Sequence, residues 1–397
     1  MTLPSLPTDR ATPFDPPTGL LAVRDQAPVH PMTYADGRLG WLVTGYAEAR
    51  AVLDDPRFSN RLEAGGSPPL KELLAVMPKE PIPAPPGYFI AMDDPEHGRF
   101  RRLLTGQFST RRMRALEPRV AEIVEAQLDD MERAGPPADL VAAFARPVPS
   151  QVICELLGVP AADRGPFLAA ADTMLDLGRP PEDRARASAQ AMGYLAELVV
   201  RKRAEPTDDV LGGLVAGGEL SDEDLSGVAA LLLTAGHDTT ANMLGLGTFL
   251  LLRNPAQADA LRQDPALADS AVEELLRYLS IIHIGPIRVA KADIELGGHT
   301  VRAGETVTVS LPIANRDPSR FTDPDRLDLT RQAESHLAFG HGIHQCLGQQ
   351  LARIEMRVAF PALLRRLPGL KLAGPPEQVR MRTRATVYGV HELPVTW

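Results

Sequence analysis

Apolar positions along this chain recur mainly at the three- and four-residue spacing of helices, and only briefly at the two-residue spacing of strands. Tyr46–Leu53 reads as a short helix stopped at Asp55-Pro56. From Met113 to Arg203 the pattern stays helical, broken at Gly135-Pro136-Pro137, Gly158–Pro160 and Gly178–Pro181. The last break separates Asp163–Leu177 from a helix of about Glu182–Lys202. Ser221-Asp222-Glu223-Asp224 offers the side chains of a capping box. It opens a run, Leu225–Leu252, whose only ionisable residues are His237 and Asp238. Leu267–Leu279 is helical. After Gly348, Leu351, Ile354, Val358 and Leu363 share one broad helical face, with Arg353, Glu355 and Arg357 interleaved. Leu39–Val43 reads as a strand entered by the turn Ala35-Asp36-Gly37-Arg38. Residues 287–311 alternate as short strands around Gly297-Gly298 and Ala303-Gly304. Val387-Tyr388-Gly389-Val390 and Leu393-Pro394-Val395 read as a closing hairpin, and residues 1–31 as a Pro-rich extended arm. The sum is a mainly α protein with small β-sheets.

With 397 residues and 44% hydrophobic side chains the chain can bury a large core. A net charge of −9 argues against a general nucleic-acid role. Two cysteines far apart give no disulfide framework and fit a reducing cytosol. The N-terminus lacks the basic and apolar regions of a signal peptide. Leu225–Leu252 is long enough to cross a bilayer, but its glycines, threonines and central acid suit a helix through a protein core. The expectation is a cytoplasmic protein without membrane contact.

The candidate chemistry centres on Phe339–Gly348, which holds Cys346 among Gly340, Gly342 and Gly348. Glycine weakens helix and strand alike, so this is a tight loop that then enters a helix. A cysteine there reads either as a buried structural residue or as a low-pKa thiolate, stabilised by the following amides, for a metal or as a nucleophile. Asp94 offers an N-cap with Pro95 at the first helical position. His97 and Arg101 then share one face, either as a solvated basic surface or as donors to a carboxylate. Asp238, within Ala235-Gly236-His237-Asp238-Thr239-Thr240, either caps a local kink or is a buried acid beside hydroxyls. Glu274 and Arg277 stand at i and i+3, a spacing common in surface pairs. Residues 60–92 carry Pro68, Pro69, Pro78, Pro81, Pro83, Pro85, Pro86, Gly65, Gly66 and Gly87, a loop that is either mobile surface or a substrate lid.

The phrase F-x-x-G-x-H-x-C-x-G resembles the haem-ligand loop of the cytochrome P-450 family. H-x-x-x-R at His97, A-G-x-D-T-T at Ala235 and E-x-x-R at Glu274 are similar to further family motifs and stand in the family's order. The resemblance covers nearly the whole chain and implies one domain over residues 1–397. It implies a triangular helical prism with haem b between a long central helix (221–253) and the Cys-loop helix. Residues 163–203 would supply the roof helices and 60–92 the distal lid. Cys346 would be the axial thiolate, with Phe339 packed beside it and Gly340 and Gly348 shaping its loop. His97, Arg101, Arg288 and His344 would hold the propionates. Ala235 and Gly236 would open a groove for dioxygen, Thr239 would support the oxygen, and Asp238 would relay protons. Glu274, Arg277 and Arg326 would form a buried structural network. Phe89, Ile90, Leu231, Leu232, Ala235, Ile281, Ile282, Ile284 and Val387 would line the substrate pocket. The implied function is monooxygenation of a sizeable hydrophobic natural product, such as a polyketide or macrolide, by hydroxylation or epoxidation. The alternatives are a peroxide-using or non-redox haem-thiolate enzyme, or a member that oxidises xenobiotics. The chain contains no GxGxxG after a strand and too few cysteines for a cluster, so electrons come from outside. A ferredoxin with its NAD(P)H-dependent reductase is the implied source, acting on a monomer. Arg102, Arg111, Arg112, Arg353 and Arg357 form either the docking patch or ordinary solvated charge.

Overall fold

The computed structural model describes residue 3 and residues 6–34, 37–61, 84–175, 178–383 and 385–397. Most of the expected lid, residues 62–83, lies outside the described residues, as do Ala35 and Asp36 of the expected turn and Leu177. The centre is the helix Asp222–Arg253, where Ser221 Oγ accepts a hydrogen bond from Asp224 N at 3.0 Å. From Thr240 to Leu251 it is buried all round, as the scarcity of charge in the sequence requires. Each buried leucine contributes on the order of 1.5–3 kcal/mol. Gly247 marks a close approach: a Cβ there would lie 2.6 Å from the Phe360 ring of the helix Gln349–Arg366, which follows the cysteine loop.

The roof pair is Ala161–Leu175 and Pro181–Ala204, packed on each other, with the second against the long helix. Thr110–Ala134 packs along the Cys-loop helix. The strands are β1 (Val29–Thr33), β2 (Leu39–Val43), β3 (Phe58–Ser59), β4 (Ala138–Asp139), β5 (Ile287–Ala290), β6 (Ile294–Leu296), β7 (His299–Val301), β8 (Thr306–Val309), β9 (Lys371–Leu372) and β10 (Pro394–Thr396). One sheet runs β1-β2-β8-β5-β3, with β2 and β8 parallel and the other neighbours antiparallel. Smaller sheets run β4-β10-β9 and β6-β7.

Two expectations fail. The N-terminal stretch is not merely an extended arm: it contains the helix Thr18–Arg24 and enters β1, which pairs Val29 with Val43. The closing hairpin does not form. β10 pairs with β4 and β9, whereas Val387 bridges to Ile282 and Val390 to Met381. Alternation marks an extended strand but not its partner, and here the partners lie far away in sequence.

Candidate active site

The loop before the Cys helix folds back on itself. Cys346 N donates to Phe339 O at 2.9 Å, and Gly340 and Gly342 both adopt φ of +71°. A Cβ on Gly342 would also lie 2.5 Å from Leu53 O, so the loop presses on the helix Tyr46–Asp54. Cys346 keeps accessible surface, yet it lies deep in the protein. Both hold if its surface faces an internal cleft, and depth governs its ionisation. Burial pushes the thiol up, against the amides of Gly348 and Gln349 and the charges of Arg101 and Arg353. A cation bound at sulfur is what would deprotonate it.

Behind the loop, Arg353 Nε and Nη2 reach Glu273 at 2.6 and 3.0 Å, and its guanidinium lies 4.5 Å from the Phe339 ring centre. His336 Nε2 adds a third contact to Glu273 at 3.1 Å. Burial works to raise this carboxyl, but the bonds from His336 and Arg353 prevail and hold it at about 2.

Four basic side chains converge from three elements. His97 and Arg101 lie on the helix Glu96–Gln107, with Pro95 rather than Asp94 at its N-cap. His344 lies in the cysteine loop and Arg288 on β5. The His97 and His344 rings are 4.0 Å apart. Asn60 joins them: its Oδ1 accepts from Arg288 Nη1 at 2.5 Å, and its Nδ2 stands 3.5 Å from His344 Nδ1. Burial lowers all four basic groups, Arg288 to about 10 and His344 to about 3. His344 is further repelled by His97, Arg288 and Arg101. His97 Nδ1 is buried with no hydrogen-bond partner. Desolvated, mutually repelling donors and an orphaned nitrogen fit a polyanionic group, and a haem carries two carboxylates on one edge. Asn60 was not foreseen; it carries no motif and is the first residue of the expected lid.

On the long helix the notch is polar and accessible. Ala235 is exposed, and Gly236, Asp238 and Thr239 are half-buried, whereas Thr240 is buried. Thr239 Oγ1 donates to Ala235 O at 2.7 Å. Asp238 Oδ1 accepts from Asn242 Nδ2 at 3.0 Å and from Arg382 Nη1 at 2.7 Å. Arg382 was likewise unforeseen, since it lies in an irregular segment near the C-terminus.

The i,i+3 pair is no surface bridge. Glu274 and Arg277 are fully buried, joined at 2.7 and 2.9 Å. The third member is Arg331, whose Nε reaches Glu274 Oε1 at 3.2 Å; Asp328 N donates to the same oxygen at 3.0 Å. Arg326 is corrected: its side chain is 68% exposed toward Asp328, and only its carbonyl joins the network. Its Asp-Pro-Asp turn directs the side chain to water and the carbonyl inward.

Among the expected pocket residues, Leu231 and Leu232 are buried one turn before Ala235, and Ile281 lies in the same large core. Ile282 bridges to Val387. Phe89 packs 6.3 Å from both the His97 and Phe100 rings, while Ile90 is exposed. Ile284 is corrected: it packs with Leu3, Leu6, Leu20 and Leu42 under the N-terminal segment, in a separate core. The expected basic patch is largely neutralised. Arg102 pairs with Glu219, Arg112 with Asp208 and Arg357 with Asp269, and Arg353 is committed to Glu273. Among the described residues no helix is long and apolar enough to cross a membrane.

Residues 196–371 match the family model described as Cytochrome P450. Cytochrome P450 105C1 of a Streptomyces species is 51% identical over 391 residues, 98% of this chain and 97% of that protein. Pentalenic acid synthase of Streptomyces avermitilis is 46% identical, over 99% of this chain and 97% of that protein. The crystal structure of CYP105P1 in complex with filipin I superposes with a TM-score of 0.90 at 44% identity, covering 100% of this chain and 99% of that one. That of MoxA from Nonomuraea recticatena gives 0.91 at 43%, covering 99% and 98%. The expected fold and haem-thiolate chemistry are thereby established: the chain belongs to the cytochrome P450 family and is a haem-dependent monooxygenase.

Proposed function

We propose that Cys346 is the thiolate ligand of the haem and that His97, Arg101, Arg288 and His344, with Asn60, hold its propionates. The observation that carries this is the convergence of four desolvated basic groups beside the cysteine loop, with His97 Nδ1 buried, without a hydrogen bond and 3.7 Å from the Asp94 carboxylate. Cys154, the other cysteine, is fully buried in the core, and burial pushes its thiol to about 12. It has no comparable surroundings.

Bound haem supplies the reduction and cleavage of dioxygen, favoured by an axial thiolate. The chain supplies position, exclusion of water and protons. Ala235 leaves room on the long helix, whereas the space beside Gly236 is taken by Ile153. Thr239 presents a hydroxyl whose proton is held by Ala235 O, so its oxygen can accept and its proton can be redirected. Asp238, set by Asn242 and Arg382, exchanges protons with that hydroxyl. This acid–alcohol pair favours dioxygen over a peroxide-driven reaction, which needs no such supply.

The substrate in this reading is a sizeable hydrophobic natural product, a polyketide or macrolide, oxidised by hydroxylation or epoxidation. It is held between the roof pair and Leu231, Leu232, Ala235, Ile282 and Val387. Relatives support that class: one is a pentalenic acid synthase, and another was crystallised with filipin I. Electrons come from a ferredoxin and its reductase in the cytoplasm, and the chain acts as a monomer of one catalytic domain over residues 1–397. The test is Cys346→Ser: the red-shifted carbon monoxide band of the reduced protein should vanish. An unchanged band would remove Cys346 as the ligand.

A further inference from the structure

A chain of hydrogen bonds outside the machinery assigned above joins three helices. Ser150 lies on Pro147–Leu157, Asp172 on the first roof helix Ala161–Leu175, and His237 on the long helix between Gly236 and Asp238. Ser150 Oγ is 2.9 Å from His237 Nδ1, and His237 Nε2 is 2.9 Å from Asp172 Oδ1. Ser150 Oγ also donates to Arg146 O at 2.6 Å, and Arg146 Nε returns to Asp172 at 4.0 Å. His237 and Ser150 are buried, whereas the Asp172 side chain keeps 40% of its surface.

A serine–histidine–aspartate order suggests a nucleophile, but the arrangement argues against one. The hydroxyl is buried within packed helices and already bonded to a carbonyl of its own helix. The geometry is that of a strut. Asp172 at Nε2 and Ser150 at Nδ1 together fix the plane of the ring. The inner nitrogen is held by Ser150. From the same side the helix of Ser150 presses on the neighbouring turn: a Cβ on Gly236 would meet Ile153 Cδ1 at 3.2 Å.

We propose that His237 is a positioning residue that ties the roof helix Ala161–Leu175 to the turn Gly236–Thr239. Closure of the roof over a substrate and seating of the turn that delivers protons are then one event. His237 shares a helical turn with Thr239, so a roof that lifts Asp172 pulls on the segment that must stay fixed during oxygen activation. The inference rests on the reading of the roof pair and of Thr239 given above.

The test uses the haem-loaded protein and the variants His237→Phe, Asp172→Ala, their combination, and Asp172→Asn, which keeps an oxygen acceptor. Three quantities are followed: amide hydrogen exchange in residues 161–175, the association rate of 4-phenylimidazole seen in the haem spectrum, and the peroxide-to-product ratio. His237→Phe and Asp172→Ala should each raise exchange and speed association by about tenfold, the scale of one charge-assisted hydrogen bond. The double variant should add nothing, because both changes cut the same strut, and Asp172→Asn should stay close to the wild type. His237→Phe should also release more peroxide with an unchanged carbon monoxide band. Unchanged exchange in 161–175, or additive single effects, would overturn the strut. Exchange needs no turnover, so it decides the strut separately. A fully coupled Thr239→Ala would instead sink the proton-delivery reading, and a wild-type spectrum blind to 4-phenylimidazole would sink the haem reading.

Discussion

Arg382 and Asp238 form a half-buried ion pair across 144 residues, with Nη1 2.7 Å from Oδ1. The acid of the activation segment is therefore held by the C-terminal region that also carries Val387. If Arg382 fixes the carboxylate for proton delivery, Arg382→Ala should leave haem content and the carbon monoxide band intact. Turnover should slow several-fold, with a larger solvent deuterium isotope effect. Unaltered turnover and isotope effect would reduce the pair to a bridge worth about 0–1 kcal/mol.

Thr239 and Thr240 differ in what they face. Thr239→Ala should retain haem, substrate binding and NADPH consumption while diverting reducing equivalents to hydrogen peroxide. Thr240 is buried, its side chain turned by about 100°. Thr240→Ala should stay coupled and lose on the order of 1 kcal/mol in thermal unfolding. Coupling lost in Thr240→Ala and kept in Thr239→Ala would reverse the assignment.

The buried network predicts an ordering of three arginines. Arg277→Ala should give haem-poor, poorly folded protein, since it strips the buried Glu274 of its two shortest bonds and leaves only Arg331 and the Asp328 amide, at a cost of about 3–5 kcal/mol. Arg331→Ala, which removes the partner at 3.2 Å, should cost about 1–3 kcal/mol. Arg326→Ala should be nearly neutral. Melting temperatures and haem-to-protein ratios of the three purified variants check the order.

Glu355 offers a pH test. It is buried on the Cys helix, Oε2 has no partner, and burial alone raises its carboxyl well above 4.5. Above pH 4.5 the folded chain holds this proton more tightly than the unfolded chain does. Stability should therefore fall as pH rises above about 4.5, by about 1.4 kcal/mol per unit until the raised value is reached. Glu355→Gln should match the wild type near pH 4 and exceed it at pH 8 in urea denaturation. Equal stabilities at pH 8 would mean that the carboxylate is ionised and paired in solution.

The motifs were legible because each packs several constrained residues into a short span: a cysteine among glycines, or an acid beside a hydroxyl in an apolar run. What escaped depends on contacts between distant segments. Arg331 rather than Arg326 closes on Glu274 because the turn at Asp323-Pro324 presents a carbonyl inward, and charge alone cannot reveal that. Asn60 and Arg382 join the site from irregular segments, where no periodicity marks them. Glu355 sits between two arginines in sequence and reads as solvent-facing, yet it turns into the core. The missed hairpin has the same origin, since the partners of β10 are β4 and β9.

The repulsion among His97, Arg101, Arg288 and His344 bears on how the protein lives in a cell. A fold that gathers such desolvated groups gains partners for them when a dianionic cofactor binds. Cofactor that binds only the folded chain stabilises it by mass action, about 2.7 kcal/mol at a hundredfold excess over its dissociation constant. The abundance of this enzyme should then track haem biosynthesis as closely as transcription. Starving the producing cell of iron should send the chain to its proteases.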